Sequence, residues 1–385
     1  MRNTYNFKIK GSGPTGLLLS IALSNLDVNV YITDLLSRRK IIEKDKTYAI
    51  THSTRKILEK FNIWNKLNPY LYGFDTLSIF DSVTSASTIL RNSDLDNDLK
   101  SSNNIGWVIK HSDLMNVFFK EIDENKNIFF KSPAELSQEK ISFDYDFIST
   151  GAKTKIKKSF FDSFSFSKTY NQSCLTFKVL MRGNFKGRAY EIFRKEGPLA
   201  LLPLDRNLYQ IIWTSSNSKS ADRLNANKNF LIDNLNTILP ENFKLDQIIG
   251  DVNLFPISLS LNFSKFNLER SVFLGDSFHT FHPVGGQGLN TCWRDVNCIF
   301  DIFNKNINTR RFNFSLFKFK YYLSRILDVL SIIVITDLLI RLFANRNFIL
   351  FPIRKLSFLL LNKFIFVRKI VLNQMTKSLI FSSIK

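Results

Sequence analysis

The sequence predicts an α/β fold in which a layer of short parallel strands and helices is interrupted by a β-rich domain and followed by C-terminal helices. Three observations predict it. A strand, a glycine turn, a helix and a second strand occupy the first 34 residues. The hydrophobic period switches to two between Ser173 and Ser215. A short buried strand then returns at Ser271–Gly275 and leads into a helical pattern that runs to the end.

Taken in order, Tyr5 to Lys10 reads as a strand and Gly11-Ser-Gly-Pro-Thr-Gly16 as a turn. Leu17 to Leu26 reads as a helix, and Val28 to Thr33 as a strand ending at Asp34. Thr54 to Lys66 has the pattern of one basic amphipathic helix, and Thr76 to Leu90 that of a β-hairpin. Ile105 to Ile109 is a strand, followed by a helix from Ser112 to Ile122 capped by Ser112 or Asp113. Asp144 to Ser149 is a further buried strand. Leu175–Met181, Ala189–Phe193 and Tyr209–Thr214 alternate like antiparallel strands; Asn227 to Leu239 is a helix and Val252 to Leu259 a strand. Gly288 to Phe303 is helical.

Composition narrows the function classes. Of 385 residues, 44% are hydrophobic and 22% charged, enough for a large core and incompatible with general disorder. Three cysteines exclude a disulfide scaffold and fit a reducing compartment. The net charge of +20 raises nucleic acid as a partner. Its location argues against that. Residues 304–385 hold 15 Lys or Arg against Asp328 and Asp337, so about two-thirds of the excess lies in the last fifth of the chain, among apolar runs such as Ile326–Ile335. Basic and apolar residues at helical spacing suit an interfacial membrane element. The same pattern suits a helical domain whose Lys and Arg solvate its outer face. No stretch reaches the roughly 18 uncharged apolar residues of a membrane span. No targeting segment is expected at the N-terminus, where Met1–Tyr5 runs directly into the first strand. A cytoplasmic protein touching the inner face of a membrane is the resulting expectation.

Two motifs carry chemistry. In Gly11-x-Gly13-x-x-Gly16 the first glycine permits a tight turn, the second lets backbone approach a pyrophosphate, and the third lets helix and strand pack closely. Pro14 and Thr15 fall in the helix start, whose N–H groups face a phosphate. Asp34, 18 residues beyond Gly16, is placed to accept from ribose hydroxyls. The second motif runs from Phe273 to Asn290. A strand ending in Gly275-Asp276 presents a carboxylate to a polyol chain. Pro283, Gly285 and Gly286 form a loop whose backbone can lie against a flat ring. Gly288, Leu289 and Asn290 open a helix whose N–H groups stabilise negative charge on that ring, as a reduced flavin requires. His279 and His282 lie three apart, but no third ligand stands at a metal-binding spacing. Cys292 and Cys298 read as core thiols.

At these residues the sequence resembles the class A flavoprotein aromatic hydroxylases of the para-hydroxybenzoate hydroxylase fold. More narrowly it resembles the branch that hydroxylates ring precursors of ubiquinone. Further support lies in Ala49–Trp64, Ile105–Ile109, Ala189–Phe193 with Gly197–Leu204, Trp293-Arg294-Asp295 and Thr336-Asp337. The resemblance implies an FAD-binding Rossmann domain (1–75, 105–165, 265–305), a mixed or antiparallel β-sheet substrate domain (76–104, 166–264) and C-terminal helices (306–385). It implies FAD, NAD(P)H as electron donor, O2, and a prenylated phenol or quinol hydroxylated through a flavin C4a-hydroperoxide. A quinone-biosynthesis assembly is an implied partner, and nucleic acid is not. Three residues depart from the family pattern. Asp34 stands for the usual Glu, Lys46 is the nearest match to an Arg, and Thr150-Gly151 replaces an Asp-Gly linked to FAD and NAD(P)H contacts, with Lys153–Lys158 making the region basic. NADH, NADPH and another donor therefore stay open. So do a catalytically altered flavoprotein, an accessory protein of a quinone-biosynthesis assembly with or without flavin, and a same-fold hydroxylase or reductase of another substrate. No catalytic base is identified.

Overall fold

The computed structural model describes residues 5–100, 102–152, 163–183, 187–239, 243–264, 270–306, 313–345 and 347–377. The chain opens with β1 (Asn6–Lys10), α1 (Pro14–Ser24), β2 (Asn29–Thr33), α2 (Arg38–Ile42), β3 (Thr47–Ile50), α3 (His52–Lys60) and α4 (Trp64–Leu67). β4 (Tyr72–Phe74), β5 (Thr76–Asp81), β6 (Ala86–Arg91), α5 (Asn97–Lys100), β7 (Gly106–Lys110), α6 (His111–Glu124), β8 (Ile128–Lys131), α7 (Pro133–Gln138) and β9 (Tyr145–Ile148) follow. The middle holds β10 (Ser163–Arg182), β11 (Arg188–Phe193), β12 (Leu199–Pro203), β13 (Leu208–Ser216), α8 (Asn217–Asn225), α9 (Lys228–Ile238) and β14 (Lys244–Ser264). The chain then returns through β15 (Ser271–Phe273), β16 (His279–Thr280), α10 (Gln287–Asn306), α11 (Phe314–Phe343), α12 (Phe351–Lys363) and α13 (Ile365–Thr376).

Three sheets result. β15-β9-β1-β2-β8 is wholly parallel. β16-β14-β10-β13-β12-β11-β5-β6 is antiparallel except where β11 runs parallel to β5. β3-β7-β4 is a small antiparallel bridge between them. The parallel sheet brings strands from both ends of the chain together, which is the interruption the sequence predicts. α1 is apolar all round because it is enclosed, with every residue from Gly16 to Ser24 buried. On the large sheet, Leu175, Phe177, Val179, Tyr209, Ile211 and Trp213 share one face and pack on Leu231 and Leu235 of α9.

Several elements differ from expectation. The helix predicted over Thr54–Lys66 is two helices, because Asn62 takes φ +60 and breaks the run. α6 starts at His111 after an extended Lys110 that makes no side-chain cap; Asp113 lies inside its first turn. The C-terminal helices join the main core. Phe317, Tyr321, Tyr322 and Val329 of α11 belong to the same core as β1 and α1. Lys153–Lys158 lie outside the described residues.

Candidate functional site

β1 ends at Lys10 and the chain turns at Gly11, whose φ is +104. A Cβ there would lie 2.5 Å from the Ser149 carbonyl oxygen, so only glycine fits. Gly13 caps α1 with ordinary backbone angles, and a Cβ on it would meet nothing within 4 Å. The first turn of α1 has no side-chain cap and no acid, so its N–H groups are left for a ligand. Asp34 reaches back to this turn. Its Oδ2 accepts from the Ser12 amide and hydroxyl, both at 2.8 Å, and its Oδ1 from the Leu36 amide at 3.0 Å. A carboxylate has about four lone-pair sites, so one remains for a ribose hydroxyl.

The second motif meets the first. Gly275, at φ +60, packs so closely on α1 that a Cβ would lie 3.0 Å from Thr15 Cγ2. Trp293 of α10 donates through Nε1 to the Pro14 carbonyl at 3.2 Å. Asp276 is therefore held beside the helix start, exposed, with the Cys292 thiol 3.4 Å from its Oδ1. Gly285 and Gly286 both have positive φ, and Gly286 sits against Ala49, where a Cβ would approach Ala49 Cβ to 3.2 Å. Gly285 and Gly288 have open space where a Cβ would point. Leu289 packs on the core.

Asn290 serves the loop through protein contacts. Its Oδ1 accepts from Thr51 N, Thr51 Oγ1 and Thr54 Oγ1, and its Nδ2 donates to the carbonyls of Ala49 and Gly286. That side chain is committed, and it clamps α3 to the glycine loop. Lys46 is exposed, with its ammonium 5.6 Å from the Phe255 ring centroid, at the junction of the small and large sheets. Thr150-Gly151 lies beside the Gly275–Ser277 turn, with the Gly151 amide donating to Ser277 Oγ at 3.0 Å.

The sequence missed the ionic clamp beneath this site. Asp295, fully buried in α10, accepts from Gly275 N at 2.9 Å, from His279 Nε2 at 2.8 Å and from Arg325 Nε of α11 at 2.6 Å. Arg325 also donates to Asp328, which lies 3.1 Å from Arg294 Nε. A Tyr48–His111 pair was missed as well. The Tyr48 hydroxyl is 2.8 Å from His111 Nδ1, and His111 Nε2 is 2.8 Å from the Ile41 carbonyl. Burial, opposed by that carbonyl, lowers the His111 pKa to about 4. The neutral ring must donate from Nε2, so Nδ1 accepts from Tyr48. Burial, with the Asp276 charge, keeps the Tyr48 proton in place. His282 accepts from Val284 N at 3.3 Å, which leaves its buried Nε2–H without a partner among the described residues. Those residues contain no group of three His, Cys, Asp or Glu able to hold a metal.

Known proteins share this architecture. No family model matches the chain. It is 24% identical over 310 residues to the uncharacterized protein slr1300 of Synechocystis, covering 76% of this chain and 73% of that one. It is 20% identical to the mouse (Mus musculus) ubiquinone biosynthesis monooxygenase COQ6, over 80% of this chain and 76% of the relative. Over 34% of each chain it is 27% identical to 3-demethoxyubiquinol 3-hydroxylase of Escherichia coli. Among solved structures, p-nitrophenol 4-monooxygenase PnpA of Pseudomonas putida superposes with a TM-score of 0.75 at 14% identity, covering 99% of this chain and all of that one. PqsL of Pseudomonas aeruginosa, described as a probable FAD-dependent monooxygenase, gives 0.72 at 13% identity over 93% and 100%. The chain has the fold of the FAD-dependent monooxygenases, as the sequence resemblance implied.

Proposed function

We propose that the chain is an FAD-dependent monooxygenase that hydroxylates a polyprenylated phenol or quinol ring in quinone biosynthesis. The observation that carries this reading is the meeting of the two glycine segments, with Thr15 against Gly275, at the carboxyl edge of the parallel sheet. The residues there fit FAD. Gly13 leaves room for a pyrophosphate, Asp34 and Asp276 offer carboxylates, and Gly285 and Gly288 leave room for a ring. The relatives named for ubiquinone biosynthesis support the substrate class.

FAD, when bound, would supply the electrons that activate O2, and one oxygen atom of that O2 would go to the ring. The chain's part is positional. The α1 N-terminus would bind the pyrophosphate, the amides of Gly288–Asn290 at the start of α10 would serve the ring edge where negative charge develops, and the His279–Asp295–Arg325 clamp holds the turn that carries Asp276. A nicotinamide nucleotide is the reductant in this reading. A second reading, a flavoprotein that does not hydroxylate, is favoured by Thr150 standing where the resemblance expects an acid.

Reconstitution with FAD separates the two. The expected result is a flavin spectrum, bleaching by NADH or NADPH without oxygen, and a hydroxylated product from a prenylated phenol in air. A flavin spectrum without product favours the second reading. No flavin bands after loading would overturn both.

A polyprenylated substrate would reside in a lipid bilayer, and α11–α13 suit docking to its surface. Among the described residues no helix is long and apolar enough to cross a membrane. Yet Phe348, Ile349, Val334, Leu338 and Phe366 are each 60% or more exposed, with Lys355, Lys363 and Lys369 near them in sequence. Apolar side chains amid cations match an anionic bilayer surface. Truncation would tear out core residues of α11, so point changes make the better test. The variant Phe348→Asp/Ile349→Asp/Phe366→Asp is expected to lose most of its flotation with phosphatidylglycerol vesicles. Recovery equal to that of the unaltered chain would refute membrane docking.

A further inference from the structure

The large sheet has a second face, opposite the one packed on α9, and that face carries an unexplained carboxyl. One register row crosses it: Ile79, Glu191, Ala200, Ile212, Thr176 and Asn253 are neighbours on adjacent strands. In a sheet, paired residues point to the same side. Every member of the row is partly accessible. The residues alternating with them, such as Ile192, Leu199, Ile211 and Leu175, are buried to within 2% on the other side.

This accessible row is not an outer surface, because the same face is covered on both flanks. On one flank Gln210 of β13 accepts a hydrogen bond from Thr47 of β3 at 3.0 Å. On the other, Phe193 of β11 stacks on Phe343 of α11 with ring centroids 4.4 Å apart, in one cluster with Val284 of the glycine loop. Thr47 adjoins Tyr48, whose hydroxyl feels Asp276, and Val284 lies between Pro283 and Gly285. The row is thus the floor of a cleft whose two walls are segments of the candidate flavin site.

Glu191 is the acidic side chain of that floor. Its carboxyl has no hydrogen-bond or ion-pair partner among the described residues. Desolvation alone raises its pKa to about 7. The other titratable and charged groups of the surroundings are engaged or distant enough not to counter this. Cys174 of β10 faces it and stays protonated, its pKa raised to about 12 chiefly by burial. Asp81 of β5 lies 3.8 Å from Arg354 of α12, Lys178 of β10 pairs with Asp45, and Lys46 lies over Phe255. His111 holds Tyr48. His282 of the glycine loop lies edge-on to Tyr170, whose pKa is raised by burial and by the Asp337 charge of α11. A carboxyl without a protein partner in a partly desolvated setting is costly as a purely structural feature.

We infer that Glu191 is the group that takes the proton from the ring hydroxyl of the substrate. The inference rests on the hydroxylase reading above and adds the base that reading lacks. The substrate O–H bond breaks, its proton forms the O–H bond of the Glu191 carboxyl, and the bonding pair stays on the ring oxygen. That pair raises the electron density of the ring carbon that accepts oxygen from the FAD- and O2-dependent step. When the ring regains aromaticity, the carbon releases its hydrogen to water as a proton and Glu191 returns its own to the ring oxygen. A base whose pKa lies near the operating pH is suited to this exchange.

Glu191→Gln keeps the shape and removes the base; Glu191→Asp keeps the base and withdraws it by one methylene. Both are compared with the unaltered chain after FAD loading, with a short-chain 2-prenylphenol as probe. The expected result for Glu191→Gln is an unchanged FAD Kd, a loss of about 100-fold in kcat, and disappearance of the rate increase that the unaltered enzyme shows as pH rises through about 7. The Asp variant keeps that limb at reduced rate. A kcat within threefold for Glu191→Gln, with the limb intact, overturns the inference. If the unaltered chain hydroxylates no phenol, the functional reading fails and the site is judged separately by ligand ionisation. The probe's phenolate absorbance should then rise on binding to the unaltered chain and not to Glu191→Gln. Equal absorbance for the two, or none with either, overturns the inference. A thermal-unfolding comparison at about pH 5 and pH 9 shows whether a variant folds, so that a misfolded Gln variant passes the decision to the Asp variant.

Discussion

Asp295→Ala is expected to cost about 3–5 kcal/mol of stability, the range for breaking a buried ion pair by removing one partner. The loss is large because three donors lose their acceptor together. Arg325 is left as a buried guanidinium, His279 loses the carboxylate that holds its Nε2, and the Gly275 amide is orphaned. Asp295→Asn keeps one acceptor and is expected to fall between the two. Denaturant unfolding measures the order. Flavin retention should fall in the same order, because the clamp holds the turn that presents Asp276.

The pH dependence has a definite sign. Burial pushes the Asp295 carboxyl up, but His279 and Arg325 outweigh it and bring its pKa from 3.8 down to about 2. A carboxylate depressed in the folded state stabilises the fold above its unfolded pKa, and that contribution disappears as pH falls through the folded one. The stability gap between the unaltered chain and Asp295→Ala should therefore be full at neutral pH and shrink between about pH 4 and pH 2. A gap that is constant across that window would show that packing, not charge, holds the clamp.

The contrast between this clamp and the glycine segments explains what the sequence reveals. Gly11, Gly275, Gly285 and Gly286 all take positive φ, a demand that selects one residue type and is therefore visible in a string of letters. Asp295, His279 and Arg325 come from a helix, a short strand and a second helix, and nothing local distinguishes them from solvated residues. In the sequence Arg325 stands among the basic C-terminal residues, although its side chain is fully engaged in the core. The packing of α11 is hard to read for a related reason. It is apolar on several faces because one side is buried against α10 and β15 while another is exposed, so its periodicity does not report which. Glu191 lies in a strand whose local pattern shows only its alternation. Its environment is made by six strands drawn from Thr76 to Ser264, a distance no spacing rule spans. The helix break at Asn62 was hidden because the amphipathic pattern continues through it.

The glycine turn yields the most decisive pair of variants, since two of its positions separate folding from binding. At Gly16 a Cβ would lie 2.0 Å from the Gly11 carbonyl oxygen and 2.6 Å from Ser149 Oγ. Neither neighbour can yield freely. Gly11 is held by a 2.8 Å bond from its amide to Thr33, and Ser149 Oγ is bonded to the carbonyls of Lys10 and Gly11. Gly16→Ala must therefore push α1 off the parallel sheet, at a cost of about 1–3 kcal/mol or more for overpacking. Its unfolding midpoint should fall even without FAD. At Gly13 the angles suit any residue and the Cβ would enter open space, so Gly13→Ala should unfold like the unaltered chain. That open space is where the pyrophosphate is expected, so the methyl group should raise the FAD Kd at least about tenfold, equivalent to 1.4 kcal/mol. Unfolding and flavin titration on both variants check the pair. Equal FAD affinity for Gly13→Ala and the unaltered chain would remove the phosphate from this turn.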